Sequence, residues 1–279
     1  MAANLHTCLW FNHNAKEAAD FYNTAFTNVQ VTTNTPMVVM FEIHGHKLMG
    51  LNGGAMFTIN PSISLFVNCN SLETVNTIWS VLIDGGKALM QIDTYPWNER
   101  YGWLQDKFGV TWQISFIKEQ EQPVKITPSM LFTGEQFGKA AAAIELYSSV
   151  FNNAATTMLA NYPDGNELAG KIMYAEFTIN NFPLIVMDGP GKHDFTFNEA
   201  VSFVVNCNTQ EEIDHYWNSL IANGGKESRC GWLKDPFGIS WQIVPTKLGE
   251  WMKNTEKSAQ LMQAIMTMNK IDMNVLTNI

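Results

Sequence analysis

The segment YGWLQDKFGVTWQI at residues 101–114 returns as CGWLKDPFGISWQI at residues 230–243. A chain that repeats itself this closely folds as copies of one unit, so the repeat constrains the architecture before any motif is read. Each copy reads strand, tight turn, strand. Asp106 and Gly109, and in the second copy Asp235, Pro236 and Gly238, are turn formers. Trp112 and Ile114 then alternate with Thr111 and Gln113, as Trp241 and Ile243 alternate with Ser240 and Gln242. One face of each strand is large, apolar and suited to a core. The other carries a glutamine amide.

The repeat extends upstream. SLFVNCN at 64–70 matches SFVVNCN at 202–208, and FTIN at 57–60 matches FTFN at 195–198. LHTCLWF at 5–11 alternates as a strand, with His6, Cys8 and Trp10 on one face and Thr7, Leu9 and Phe11 on the other. Ala18, Phe21, Tyr22, Ala25 and Phe26 share one side of a helix over 15–26, and three short strands follow at 29–33, 37–43 and 47–51. This is a βαβββ unit. A second begins at 62–70, with a helix over 72–83 that ends at Gly85 and Gly86. The second half runs in the same order: strand 126–132, helix 137–151, strands 155–160, 172–179 and 183–187, then the match to SLFVNCN. The expected fold class is α+β: tandem domains, each of paired βαβββ modules with cupped mixed sheets, over 1–118 and 126–247. A polar, proline-containing linker at 119–125 joins them, and an amphipathic helical tail occupies 248–279. Residues 87–102 are longer than their counterpart, so DTYPWNERYG reads as an inserted loop in the first domain.

A chain of 279 residues can bury two cores, and 46% hydrophobic with 15% charged residues is a globular profile. A net charge of −9 without a cluster of Lys and Arg argues against nucleic acid and against an anionic membrane surface. No stretch approaches the ~18 apolar residues of a membrane span, and no charged leader with an apolar run opens the chain, so a cytoplasmic location is expected. Cys8, Cys69, Cys207 and Cys230 lack metal-ligand or redox spacing and read as reduced thiols, with Cys69 and Cys207 in apolar strands.

Paired βαβββ modules ending in D-x-F-G-x-x-W-Q resemble the vicinal oxygen chelate superfamily, which includes glyoxalases, bleomycin-resistance proteins and dioxygenases. HTCLWFNHNAKEAADFY, LNGG, FTFNEAVSFVVNCNTQEE, CGWLKDPFGISWQIVP and MNKIDMNVL resemble more closely its PhnB-like branch, often labelled 3-demethylubiquinone-9 3-methyltransferase. The resemblance covers nearly the whole chain, in two copies. It implies one pocket per domain, cupped between two modules, and in metal-dependent members a divalent ion held by His, His and Glu. The corresponding positions are Thr7, Ser64 and Gln113 in the first domain and Pro128, Ser202 and Gln242 in the second. None is a histidine or a carboxylate, so no cofactor is expected and a divalent metal only with an altered ligand set. His6 neighbours the first-strand position but turns to the opposite face, and reads as a packed histidine. His44 and His46 flank a turn glycine and read as exposed.

For ligand binding the sequence offers Ser64, Phe66, Trp97, Tyr101, Gln113, Ser202 and Gln242, an amide–hydroxyl–aromatic set suited to a neutral or weakly polar molecule. Asp93, Glu99 and Cys230 are the candidates for catalysis. The alternative for the loop is a surface pair of Arg100 with Asp93 or Glu99. Three functions stay open: a metal-free binder of a small, partly aromatic molecule, which is preferred; a metal-assisted or acid–base enzyme; and a methyltransferase. The last needs a parallel sheet with a glycine-rich loop, which hairpin-rich modules lack; DGPGKHD and GEQFGKA also miss the phosphate-loop spacing. Pairing of the domains within the chain is expected to stand in for a dimer, with a homodimer of whole chains left open.

Overall fold

The computed structural model describes residues 3–165, 167–253 and 255–279. Four βαβββ modules follow one another. The first holds β1 (Asn4–Trp10), α1 (Ala15–Ala25), β2 (Val29–Asn34), β3 (Val38–Ile43) and β4 (His46–Leu51). The second holds β5 (Ile63–Cys69), α2 (Leu72–Leu82), β6 (Lys87–Tyr95), β7 (Asn98–Gln105) and β8 (Thr111–Phe116). The third holds β9 (Val124–Phe132), α3 (Ala140–Val150), β10 (Ala155–Asn161), β11 (Ile172–Ile179) and β12 (Phe182–Asp188). The fourth holds β13 (Val201–Cys207), α4 (Gln210–Ile221), β14 (Lys226–Glu227), β15 (Trp232–Lys234) and β16 (Ser240–Pro245). Short helices α5 (Leu248–Trp251), α6 (Thr255–Thr267) and α7 (Met273–Thr277) form the tail. The α+β class, the tandem modules and the tail are as the sequence led us to expect.

Which modules share a sheet is the new information. The strands form two eight-stranded mixed sheets, β14-β15-β16-β13-β1-β4-β3-β2 and β10-β11-β12-β9-β5-β8-β7-β6. The first sheet therefore joins modules one and four, and the second joins modules two and three. The seams are antiparallel ladders: β1 runs beside β13 with Cys8 opposite Ser202, and β5 beside β9 with Ser64 opposite Ser129. Each cup is thus assembled across the halves, which corrects the expectation that the two modules of one half would line one pocket.

The two modules of a half meet instead on their helical faces, through the repeated motif. Asp106 is buried, and its Oδ1 accepts from the backbone N–H groups of Phe108 and Val110. Its Oδ2 accepts from the Trp112 indole at 2.8 Å and from the hydroxyl of Tyr22, on α1 of the neighbouring module, at 2.9 Å. Asp235 repeats this with Phe237, Ile239, Trp241 and Tyr147 of α3. Burial raises both carboxyls from 3.8 to about 6 against the pull of four donors. The two aspartates are therefore more than turn formers; they tie hairpin to helix across the module boundary.

In modules one and three, a residue at or just past the end of the last strand caps the helix of the same module. Asn52 Oδ1 accepts from Ala15 N at the start of α1, and Asp188 Oδ1 accepts from Gly138 N and Ala140 N at the start of α3. The tail is pinned where Cys230 N and Gly231 N donate to the carbonyls of Met268 and Asn269, each at 2.8 Å. No helix among the described residues is long and apolar enough to cross a membrane.

Candidate binding cups

Strand alternation decides which side chains enter each cup. In the second sheet, Leu65, Val67, Trp112 and Ile114 pack into the helical core. Ser64, Phe66 and Asn68 of β5, Thr111, Gln113 and Ser115 of β8, and Thr127 and Ser129 of β9 take the other face. Tyr101 and Trp103 of β7 stand opposite Ser115 and Gln113 in the ladder and share that face. Phe66, Tyr101 and Ile185 form a buried apolar cluster of their own, with Met90, Tyr95, Trp103, Tyr174 and Met187 packed around it. Phe66 lies 6.2 Å from Tyr101 and 6.1 Å from Tyr174, so modules two and three meet ring to ring over the floor.

The polar groups of this cup are few and oriented. The Tyr101 hydroxyl donates to Gln113 Oε1 at 2.6 Å, and burial holds its pKa well above the ordinary value, so it stays a donor. Gln113 is buried, and its amide nitrogen has no hydrogen-bond partner among the described residues. On the far wall Tyr174 donates to Glu176 Oε1 at 2.6 Å. Asn68 Oδ1, Trp103 Nε1 and Ser129 Oγ are buried without hydrogen-bond partners. Buried polar atoms are rarely left so, and three on one sheet face mark a surface suited to polar contact with a guest.

The inserted segment is a hairpin rather than a loop. Strands β6 and β7 pair from Lys87–Gln105 to Tyr95–Asn98, because alternating Tyr95, Arg100 and Tyr101 can be packed or bonded on the arm. Trp97, at the tip, is 66% exposed and stacks on Tyr95 at 4.9 Å, so it belongs to the rim. Asp93 and Glu99 are exposed; Asp93 Oδ1 accepts from Thr94 N, and Arg100 Nε donates to Asn76 rather than to either carboxylate. Asp93 stands opposite Tyr101 in the β6–β7 ladder, but among the described residues neither acid is hydrogen-bonded to Tyr101 or Gln113.

The first sheet carries the counterpart cup. Cys8 stands opposite Ser202, and Gln242 Nε2 donates to Ser202 Oγ at 3.0 Å. Burial pushes the Cys8 thiol up to about 12, against the hydrogen bonds of Gln242 and Ser202. His6 shares this face. Its Nδ1 accepts from Asn206 Nδ2 at 3.1 Å, while Nε2 is buried and unpartnered. Burial, then the field of Lys47, lowers its pKa to about 4 and keeps the ring neutral. Trp10 closes one end: its indole donates to Gly54 O at 2.8 Å and lies so close to Gly53 that an added Cβ would stand 2.1 Å from the ring. Cys230 is half-buried beneath the tail rather than on the cup floor, with its thiol raised by burial.

The fold family's metal positions do not fit an ion. Thr7 and Pro128 turn to the helical side, where the Thr7 hydroxyl meets His46 Nε2 at 3.3 Å. Ser64, Gln113, Ser202 and Gln242 do face the cups, but they are neutral; Gln113 and Gln242 are already bonded to Tyr101 and Ser202. Among the described residues no three His, Cys, Asp or Glu side chains are grouped to hold a metal ion. Sequence reasoning missed Trp103, Ser129, Tyr174 and Glu176 of the second cup. The alternation of Tyr174 and Glu176 with Ala175 and Phe177 was readable, but it points into this cup only once β11 is known to share a sheet with β5.

A PhnB protein from Bacillus cereus is 30% identical over 40% of this chain and 98% of its own, with a TM-score of 0.38. Glyoxalase I from Zea mays superposes over 91% of this chain and 97% of its own at a TM-score of 0.59 and 12% identity, a likeness of fold alone. No curated protein matches the chain. The family described as 3-demethylubiquinone-9 3-methyltransferase matches twice, over residues 3–115 and 124–244. The chain therefore belongs to that family, within the vicinal oxygen chelate superfamily, as a tandem PhnB-like protein.

Proposed function

We propose that the protein binds a small, partly aromatic, weakly polar molecule in the cup of the second sheet, without a typical metal centre. The observation that carries this reading is the Tyr101–Gln113 hydrogen bond on a floor walled by Phe66, Trp103 and Tyr174. The rings offer flat apolar surface, while Gln113 offers N–H donors that a carbonyl or hydroxyl oxygen can take. No lysine or arginine lies on the strand faces that form this floor, apart from Lys125 at the end of β9, so a strong negative charge is not what the floor is built for.

Methyl transfer, the activity in the family's description, is the second reading. In its favour stands the aromatic cup, which suits a planar ring. Against it, Asp188, which opens the segment 188–194, caps α3 by accepting from Gly138 N and Ala140 N, so that helix end is not open to an anionic cofactor group. Acid–base chemistry by Asp93 or Glu99 has no support from their exposed positions on the hairpin arm.

The test is a panel of neutral aromatic fragments, phenols and aryl ketones, titrated with tryptophan fluorescence as the readout. Binding is expected, weakened by Gln113→Ala, Phe66→Ala and Tyr174→Ala. A hit whose affinity none of these changes would place the site elsewhere.

A further inference from the structure

The most deeply buried carboxylates of this protein are spent on its own frame. Asp106 and Asp235 each accept four hydrogen bonds, and Asp188 accepts from three backbone N–H groups. His46 is committed as well: it is 7% exposed rather than an open turn residue, and sits between Thr7 Oγ1 at 3.3 Å and the Phe182 ring at 5.7 Å. Glu176 differs. It is half-buried, its Oε1 takes the Tyr174 hydroxyl at 2.6 Å, and among the described residues its Oε2 has neither a hydrogen bond nor an ion pair.

This carboxylate faces the second cup. Glu176 stands opposite Ile185 in the β11–β12 ladder, and Ile185 is packed with Phe66 and Tyr101 on the cup floor. The Tyr174 ring that holds Glu176 lies 6.1 Å from Phe66 at 68°, and Phe66 lies 6.2 Å from Tyr101 at 40°, so aromatic surface adjoins the acid at several tilts. Burial first, then the hydrogen bond and charge of Glu176 and the field of Tyr101, raise the Tyr174 hydroxyl above its ordinary range, so it stays a donor. The ammonium of this floor belongs to another row. Lys125 stands opposite Asn68, whereas Glu176 is joined through Ile185 and Ser129 to Ser64. Asn68 and Ser64 are four residues apart on β5, roughly 13 Å of strand, and Lys125 forms no ion pair with Glu176. A carboxylate without a cation of its own, beside aromatic rings whose faces carry negative potential, is an environment suited to a weakly hydrated cation.

We infer that the guest of the second cup carries a cationic nitrogen, an alkylated or protonated amine on its aromatic part, which rests against the rings of Phe66 and Tyr174 with the Glu176 carboxylate as its counter-charge. This inference rests on the reading of that cup as the binding site and adds to it the charge of the ligand. It also gives the cup a need for both halves, since Phe66 comes from β5 while Tyr174 and Glu176 come from β11.

Two phenols test it as a pair, by calorimetric titration at fixed ionic strength: para-(trimethylammonio)phenol and para-tert-butylphenol share shape and hydroxyl and differ by one charge. The cationic phenol is expected to bind about tenfold more tightly. Glu176→Gln keeps an oxygen for the Tyr174 hydroxyl and removes the charge, and is expected to bring the two phenols within about twofold by weakening the cation alone. Glu73→Gln removes an equal charge from an exposed position on α2 and should leave the preference as it is. Phe66→Leu, which keeps apolar volume and removes the ring, should cost the cation more than the neutral phenol. A neutral phenol that binds as tightly as the cation, or a preference that survives Glu176→Gln, overturns the inference and leaves the reading of the cup standing. Binding of neither phenol overturns both.

Discussion

The two cups use the same strands, yet the hydrogen bond at the centre of each runs differently. Tyr101 in the second sheet corresponds in the repeat to Cys230, and Phe66 to Val204. Where the tyrosine is present, it holds Gln113 Oε1 and the amide nitrogen has no partner among the described residues. Where the cysteine stands instead, the tail claims its backbone, and Gln242 spends its Nε2 on Ser202. One floor is aromatic with an outward donor; the other is lined by a thiol, a hydroxyl and a neutral imidazole, and capped by Trp10 at one end. The two copies therefore share the frame and differ in the cup floor.

The largest expected effects belong to the shared frame and should be alike in both halves. Asp106→Ala and Asp235→Ala each leave a tyrosine hydroxyl, an indole N–H and two backbone N–H groups without an acceptor. Each is expected to cost roughly 3 to 5 kcal/mol in urea denaturation. Unequal losses would break the equivalence on which the comparison rests.

Acid titration sharpens it next. His6 in the first cup is lowered from 6.5 to about 4, so its contribution to stability is full above about 6.5 and is lost as pH falls toward 4. Asp106 and Asp235 act in the opposite sense: raised from 3.8 to about 6, they make stability fall as pH climbs through that window, with no further change above it. Removing the histidine leaves the aspartates less opposed. His6→Asn is therefore expected to lose stability relative to the parent as pH rises from about 4 to 6.5, with a total swing of about 3 kcal/mol. A variant whose stability tracks the parent at every pH would mean that the ring is not desolvated.

Ligand affinity should separate the cups. For a neutral aromatic that binds, Gln113→Ala is expected to weaken affinity by ~1 to 3 kcal/mol, and Gln242→Ala should not change it. The smallest effect is that of Tyr101→Phe, about 1 kcal/mol, because the ring remains and only the group that orients Gln113 is lost. A larger loss from Gln242→Ala than from Gln113→Ala would reverse the assignment.

The elements and the tandem arrangement were legible because Trp112, Ile114 and their repeats carry a period-two pattern that only one backbone satisfies. Sheet partnership was not. The edge of a strand is backbone, and nothing in the side chains of β1 says whether β13 or a strand of its own half lies beside it. This is why Thr7 and Pro128 were counted as cup positions and His6 was set on the wrong side, although their alternation along the strand was read correctly. Ser64, Phe66, Tyr101 and Gln113 meet in one cup because they belong to one module, where local spacing suffices. Tyr174 and Glu176 reach the same cup from the other half, over a distance in sequence that no local pattern spans. The insertion misled for another reason: its turn residues and exposed aromatics look alike in a loop and at the tip of a hairpin.

The most direct test of the central claim is a crystal structure of the protein soaked with a neutral phenol that binds in solution. The account places its ring among Phe66, Trp103 and Tyr174, with an oxygen within hydrogen-bond distance of the Gln113 amide nitrogen. Density against Cys8 and Gln242 in the first cup, with the second cup free of the ligand, would contradict it.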